Sequence, residues 1–195
     1  MERFELEFFS SVINVWLFEE VKNANEIKKA DITLQLFCRQ IQITSRQHLI
    51  TAVSQALVTR SHGTLKTKTL HSEILWTLSP GTNIMEAIKK FGLGPQTSAL
   101  LLVKLQPIQA EPDSLSNEGL DQAARALVDG NLVSLDHLGK SIVNWKELRR
   151  MYKINDDLVI KELERKSKTT AGDLELHAMI DKIVTSTVAL KSVAA

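Results

Sequence analysis

Residues 66–92, KTKTLHSEILWTLSPGTNIMEAIKKFG, carry the most closely specified local chemistry of the chain. Thr69 is placed to accept the first free amides of a helix over Leu70–Leu78, because short hydroxyl side chains satisfy donors that a helix start leaves unpaired. Ser79-Pro80-Gly81 stops that helix: proline lacks an amide hydrogen and glycine permits a reversed backbone. Asn83, with Glu86 three positions on, is a capping-box variant that opens a second helix, and Gly92 closes it after Phe91. Leu70, Ile74 and Leu78 form one apolar stripe, widened by Leu75 and Trp76. Ile84, Ala87, Ile88 and Phe91 form another. A helical hairpin with two greasy faces follows.

Arg60, His62, Lys66, Lys68 and His71 gather ahead of and at the mouth of this hairpin. The cluster reads either as a solvated face or as a contact for phosphates, each cation releasing counterions on binding. Trp76 and Phe91 are the nearest aromatics for stacking on unpaired bases, and both suit the core. The wide stripe holding Leu70, Leu75 and Trp76 has two readings as well. It is core, or it is a surplus apolar face that serves a partner.

On the N-terminal side, RFELEFF (residues 3–9) alternates apolar and charged residues as a half-buried strand does, and Val12–Val21 is β-branched and aromatic, a second strand. A helix over residues 23–30 would turn Ile27 and Ala30 inward. Residues 32–38 fit either a helix or a strand, and residues 40–44 a short extended piece. Ser45 caps a helix with Leu49, Val53, Ala56, Leu57 and Arg60 at helical spacing, ended by Gly63; residues 64–69 read as extended. On the C-terminal side, Ser98–Leu105 is the best buried strand, and residues 118–129 form a helix. Residues 132–134 are a short strand or an anchor. Asn144 with Glu147 opens a helix to Lys153 whose exposed face carries Lys146, Arg149, Arg150 and Lys153. Residues 156–166 and 173–189 are two more helices, the last with Leu176, Met179, Ile180, Ile183 and Val184 on its apolar face. The pattern predicts one α+β domain over residues 1–195, helix-rich with a small sheet of about four strands.

Composition narrows the function. With 195 residues, nearly half of them apolar, and a net charge of +1, the chain can bury a core but has no global cationic field, so any RNA contact is a local patch. Cys38 is the one cysteine, which excludes an internal disulfide framework and points to a reducing compartment, cytosol or nucleus. No apolar run approaches the ~20 residues that span a bilayer, and the acidic start does not fit a targeting peptide. His48, His62, His71, His137 and His177 lack metal-ligand spacing. Hydrolase, P-loop and dinucleotide motifs are missing. Glu19-Glu20 and Asp156-Asp157 read as structural pairs, and Cys38 beside Arg39 as a core thiol. No catalytic residue, metal or cofactor is expected.

KTKTLHSEIL, then LSPGTNIMEAIKKFGL and an apolar strand, resembles the protein-kinase-binding subunit of the KEOPS (EKC) complex, the TPRKB family. MERFELEFF and NWKELRRMYKI resemble that family's start and late helix. The likeness covers residues 1–155, while the helical part 156–195 matches poorly. It implies a subunit that is no enzyme by itself. Such a subunit docks on the complex's small atypical kinase/ATPase subunit, in the assembly that installs threonylcarbamoyl on the adenosine beside the tRNA anticodon, and holds the single-stranded 3′ end of tRNA. Lys66, Lys68, Thr69 and Glu73 fall on the family's basic-Thr-Ser-Glu motif, and Ile84, Lys89, Lys90, Phe91 and Gly92 on its second helix. On that basis Arg60, Lys66, Lys68, His71, Lys89 and Lys90 are assigned to tRNA, and Leu70, Ile74, Met179 and Ile183 to the kinase. The expected location is nucleus and cytoplasm, and the sequence predicts no membrane or DNA contact. A small-ligand-binding or metabolic domain, its pocket invisible in the sequence, is the reading from a different class.

Overall fold

In the computed structural model, which describes residues 1–29, 36–39, 42–108, 116–140, 143–166 and 170–194, the chain runs β1 (Glu2–Leu6), β2 (Ser11–Glu19), α1 (Ala24–Lys29), β3 (Leu36–Arg39), α2 (Arg46–Ser61), α3 (Leu70–Leu78), α4 (Ile84–Phe91), β4 (Leu100–Pro107), α5 (Asn117–Leu127), β5 (Asn131–Val133), α6 (Trp145–Met151), α7 (Leu158–Lys166) and α8 (Thr170–Ala194). The sheet is antiparallel in the order β1-β2-β4-β3. Strand β2 is its axis. One edge of β2 faces β4 from Ser11 to Phe18. The other is shared, residues 11–15 pairing with β1 and Leu17–Glu19 with β5. Five strands therefore occupy four positions, the small sheet of an α+β fold.

Every residue from Val12 to Phe18 is buried, and side chains alternate across a strand, so both faces of the sheet are covered. Ile13, Val15 and Leu17 meet Leu101 and Val103 under α2, α3 and α8. Trp16 and Phe18 meet Leu100 and Leu102 under α1 and α5, through Ile27, Leu120 and Ala124.

Local chemistry places the helices. Oxygens of Ser45, Thr69, Asn83 and Asn144 accept the amides of His48 (3.1 Å), Ser72 (3.2 Å), Glu86 (3.1 Å) and Glu147 (3.0 Å), each satisfying an orphan donor of the first turn. A Cβ on Gly92 would stand 2.5 Å from the Ile88 carbonyl oxygen, so the exit from α4 needs glycine. Several expectations shift. Helix α8 extends beyond residues 173–189 in both directions. Residues 36–39 settle as strand β3, pairing with β4, and residues 131–133 as strand β5. Residues 64–69 form no strand but fold back on α3. Leu75 and Trp76 belong to the buried set, with the Trp76 indole donating to the Thr82 carbonyl at 3.1 Å. They are no surplus face, because α3 is covered on all sides from Glu73 to Leu78. The expectations for Ala30, for residues 32–35 and for the Cys38 side chain lie outside what is described. Among the described residues no helix is long and apolar enough to cross a membrane.

Candidate nucleic-acid interface

The cationic loop between α2 and α3 owes its shape to a buried acid. Gly63, at φ +67°, turns the chain out of α2, and Thr69 returns it to α3. Between them, the fully buried Glu73 carboxylate accepts the amides of Lys66 (3.2 Å) and Thr67 (2.8 Å) and the Thr67 hydroxyl (2.8 Å). Charge-assisted bonds of this kind offset the cost of burying a carboxylate. They hold only backbone and Thr67, so the Lys66 and Lys68 side chains stay exposed. Neither these lysines nor Arg60 has an ion-pair partner among the described residues.

A cleft of about 510 Å³ opens beside this loop, walled by Phe9, Leu57, Arg60, Leu70, Leu105 and Gln106. His71, half-buried at the start of α3, faces Arg60 and Lys104. Burial first, then the charges of Lys104 and Arg60, push its pKa below the ordinary histidine value. The imidazole is thus neutral at pH 7, and its Nε2 is buried without a hydrogen-bond partner. Phe8, 90% exposed, stands on the short helical turn that links β1 to β2, its ring centroid 5.0 Å from that of Phe9. Arg60 and Phe9 share this cleft, Phe8 packs edge-on against Phe9, and the loop with Lys66 and Lys68 leads from α2, which carries Arg60, to Leu70, another wall of the cleft. No carboxylate lines the cleft among the described residues.

The other assignments separate. Lys89 is exposed on α4, Lys90 pairs with Glu86 at 2.6 Å, and neither lines the cleft. Trp76 and Phe91 are buried, and the aromatic side chain that shares the cleft with Arg60 is Phe9, against which Phe8 packs. Leu70 is a wall of the cleft. Ile74 is 0% exposed in the main core. It has no surface left for a kinase, because α3 is enclosed by α2, α4 and α8. Met179 and Ile183 are half-buried at the core's edge on α8, and Leu190, two turns beyond Ile183, is 61% exposed.

Two buried polar groups fix the frame behind the site. Lys191 donates to the carbonyls of Trp76, Ser79 (2.5 Å) and Gly81 (2.9 Å) and lies 3.8 Å from the Trp76 ring centroid. A cation thus closes the C-terminal end of α3, and α8 is locked to it. The other group is His48, whose Nδ1 lies 3.1 Å from the Thr44 hydroxyl, which donates to Asp181 at 2.5 Å. Its Nε2 lies 3.4 Å from the Tyr152 hydroxyl, which donates to the Leu78 carbonyl at 2.5 Å. Full burial lowers the His48 pKa to about 3.

The fold and site are those of a small α+β domain with a covered antiparallel sheet, a carboxylate-pinned basic loop and a cleft lined by Phe9 and Arg60. The family model described as kinase binding protein CGI-121 matches residues 18–192, and the chain belongs to that family. It is 31% identical over 159 residues to the EKC/KEOPS complex subunit CGI121 of Candida glabrata, covering 78% of this chain and 84% of that one. The subunit of the same name from Gibberella zeae is 30% identical over 174 residues, 80% and 86% of the two chains. That of Neurospora crassa is 31% identical over 173 residues, 80% and 83%.

Proposed function

We propose that this protein is a non-catalytic subunit of a KEOPS complex that docks on the complex's small atypical kinase/ATPase subunit. In the same complex it holds the single-stranded 3′ end of tRNA while threonylcarbamoyl is installed on the adenosine beside the anticodon. The observation that carries the tRNA reading is the Glu73-pinned loop, with Lys66 and Lys68 exposed and unpaired between α2 and α3, next to the cleft that Arg60 and Phe9 line. Free cations grip phosphates, and an exposed ring stacks on any base. Membership of a kinase-binding family supports the kinase reading. Of the residues assigned to it, Met179 and Ile183 keep surface on α8, and Leu190 extends their stripe at helical spacing. The test is Lys66→Glu/Lys68→Glu. Affinity for tRNA should fall about tenfold or more, with a salt dependence flatter by about 0.7 per lost phosphate contact and unchanged melting. Unaltered tRNA affinity would overturn the reading.

A further inference from the structure

Of the cations expected on the exposed face of α6, Lys146, Arg149 and Arg150 line a second cleft, while Lys153 lies past the helix end and outside it. It lies between α6, α7 and α8 and measures about 560 Å³. Its wall is aromatic: Trp145 and His177, both half-buried, stack with ring centroids 4.1 Å apart and planes 6° from parallel. Its floor is apolar, from Leu176 and Ile180. Cations line it. Lys146 is exposed with no ion-pair partner among the described residues. Arg150 is 78% exposed, with the Glu147 carboxylate 3.9 Å away. Arg149 is mostly buried and paired with Glu164, yet its Nε is buried without an acceptor. Asn155 adds an exposed amide.

This cleft is remote from the Lys66–Lys68 loop. Tyr152, just past α6, meets His48 in the first turn of α2, whereas the loop follows the last turn of α2. His48 and the helix end at Ser61 are thirteen residues apart, a rise of roughly 20 Å.

We propose that the α6–α8 cleft is a nucleotide site, for a nucleoside phosphate that is either free or a unit of an RNA strand. Each part of that ligand meets matching chemistry. Phosphate oxygens take the donors of Lys146, Arg150 and the orphan Nε of Arg149. A purine or pyrimidine continues the parallel Trp145–His177 stack on its outer face, over the apolar floor. Ribose hydroxyls meet the Asn155 amide and the Glu164 carboxylate, an acid that Arg149 already neutralises. The volume falls within the usual range of small-molecule sites, about 300–1,000 Å³. An acidic peptide would engage the cations but has no general use for the flat aromatic wall. The proposal does not rest on the tRNA reading of the other cleft.

The experiment titrates the full chain with AMP, ADP, adenosine and poly-glutamate, following the Trp145 indole amide by NMR. It is repeated on Lys146→Glu/Arg150→Glu, two exposed positions whose exchange should leave melting unchanged. AMP and ADP should shift the Trp145 signal saturably, adenosine should bind about tenfold more weakly, and the double variant should lose about tenfold in affinity. Displacement by a single-stranded RNA oligonucleotide assigns the ligand to RNA, and retention assigns it to the free nucleotide; both keep the proposal. It is overturned if no nucleotide moves Trp145 at millimolar concentration, or if the double variant binds as the parent does. Equal displacement by poly-glutamate also overturns it, in favour of an acidic protein partner.

Discussion

The carboxylate of Glu73 lies 2.8 Å from both the amide nitrogen and the hydroxyl of Thr67, in a residue with no exposed surface. A glutamine there would lose the charge and bring an NH₂ toward groups that already donate. Glu73→Gln should therefore cost about 1–3 kcal/mol of stability in urea unfolding, and should speed hydrogen exchange at the Lys66 and Thr67 amides. Affinity for tRNA should fall although no cation has been removed. Exchange rates identical to the parent's would show that the loop holds itself.

His48 makes stability depend on pH with a definite sign. Its folded pKa of about 3 lies below the ordinary 6.5, so between those values the unfolded chain holds a proton that the folded chain refuses. Stability rises with pH through that window and is lost on acidification, with a limiting slope of about 1.4 kcal/mol per pH unit. Thr44 and Tyr152 face the ring, and Asp181 reaches it only through Thr44. In His48→Asn this part of the slope should vanish between pH 6.5 and pH 4, with lower stability at pH 7. An equally steep profile in the variant would place the sensitivity elsewhere.

Lys191→Met keeps the bulk of the side chain and removes its donors. Carbonyls of Trp76, Ser79 and Gly81 would then lose a partner, at a cost of about 1–3 kcal/mol. Hydrogen exchange in the last turns of α8 and around residues 79–82 should rise together, since the ammonium is the link between them. A rise in only one segment would mean that the two are held separately.

Leu190 and Ile74 make opposite predictions. Leu190→Glu alters an exposed position, so it should leave melting unchanged and abolish capture of the kinase subunit from an extract. Ile74→Glu places a charge in a closed core and should unfold the chain. Normal kinase capture by Leu190→Glu would move the docking face off this end of α8.

Local signals were legible and distant ones were not. Ser45, Thr69, Asn83 and Asn144 announce their helices because a cap and its amide are three residues apart. Arg60, Lys66, Lys68 and His71 could be grouped because a single turn and loop carry them. Phe8 could not be added. Its neighbour Phe9 lines the cleft with Arg60 through the pairing of Ser11 with Pro107, a register that no local pattern encodes. Lys104 faces His71 for the same reason, from the middle of β4. Ile74 is assigned to the kinase on the resemblance, although the consecutive apolar run Ile74-Leu75-Trp76 is the mark of a helix covered all round. The Trp145–His177 stack joins α6 to α8 across a helix reversal, and spacing within either helix does not foretell it.

The anchoring of the loop by main-chain amides has an evolutionary side. Because Glu73 grips the peptide bonds at residues 66 and 67 and never the lysine side chains, positions 66 and 68 are spectators of folding. Charge there can be added, removed or reversed in natural or designed variants with little effect on the scaffold, so the charge of this loop becomes a trait tunable in single substitutions.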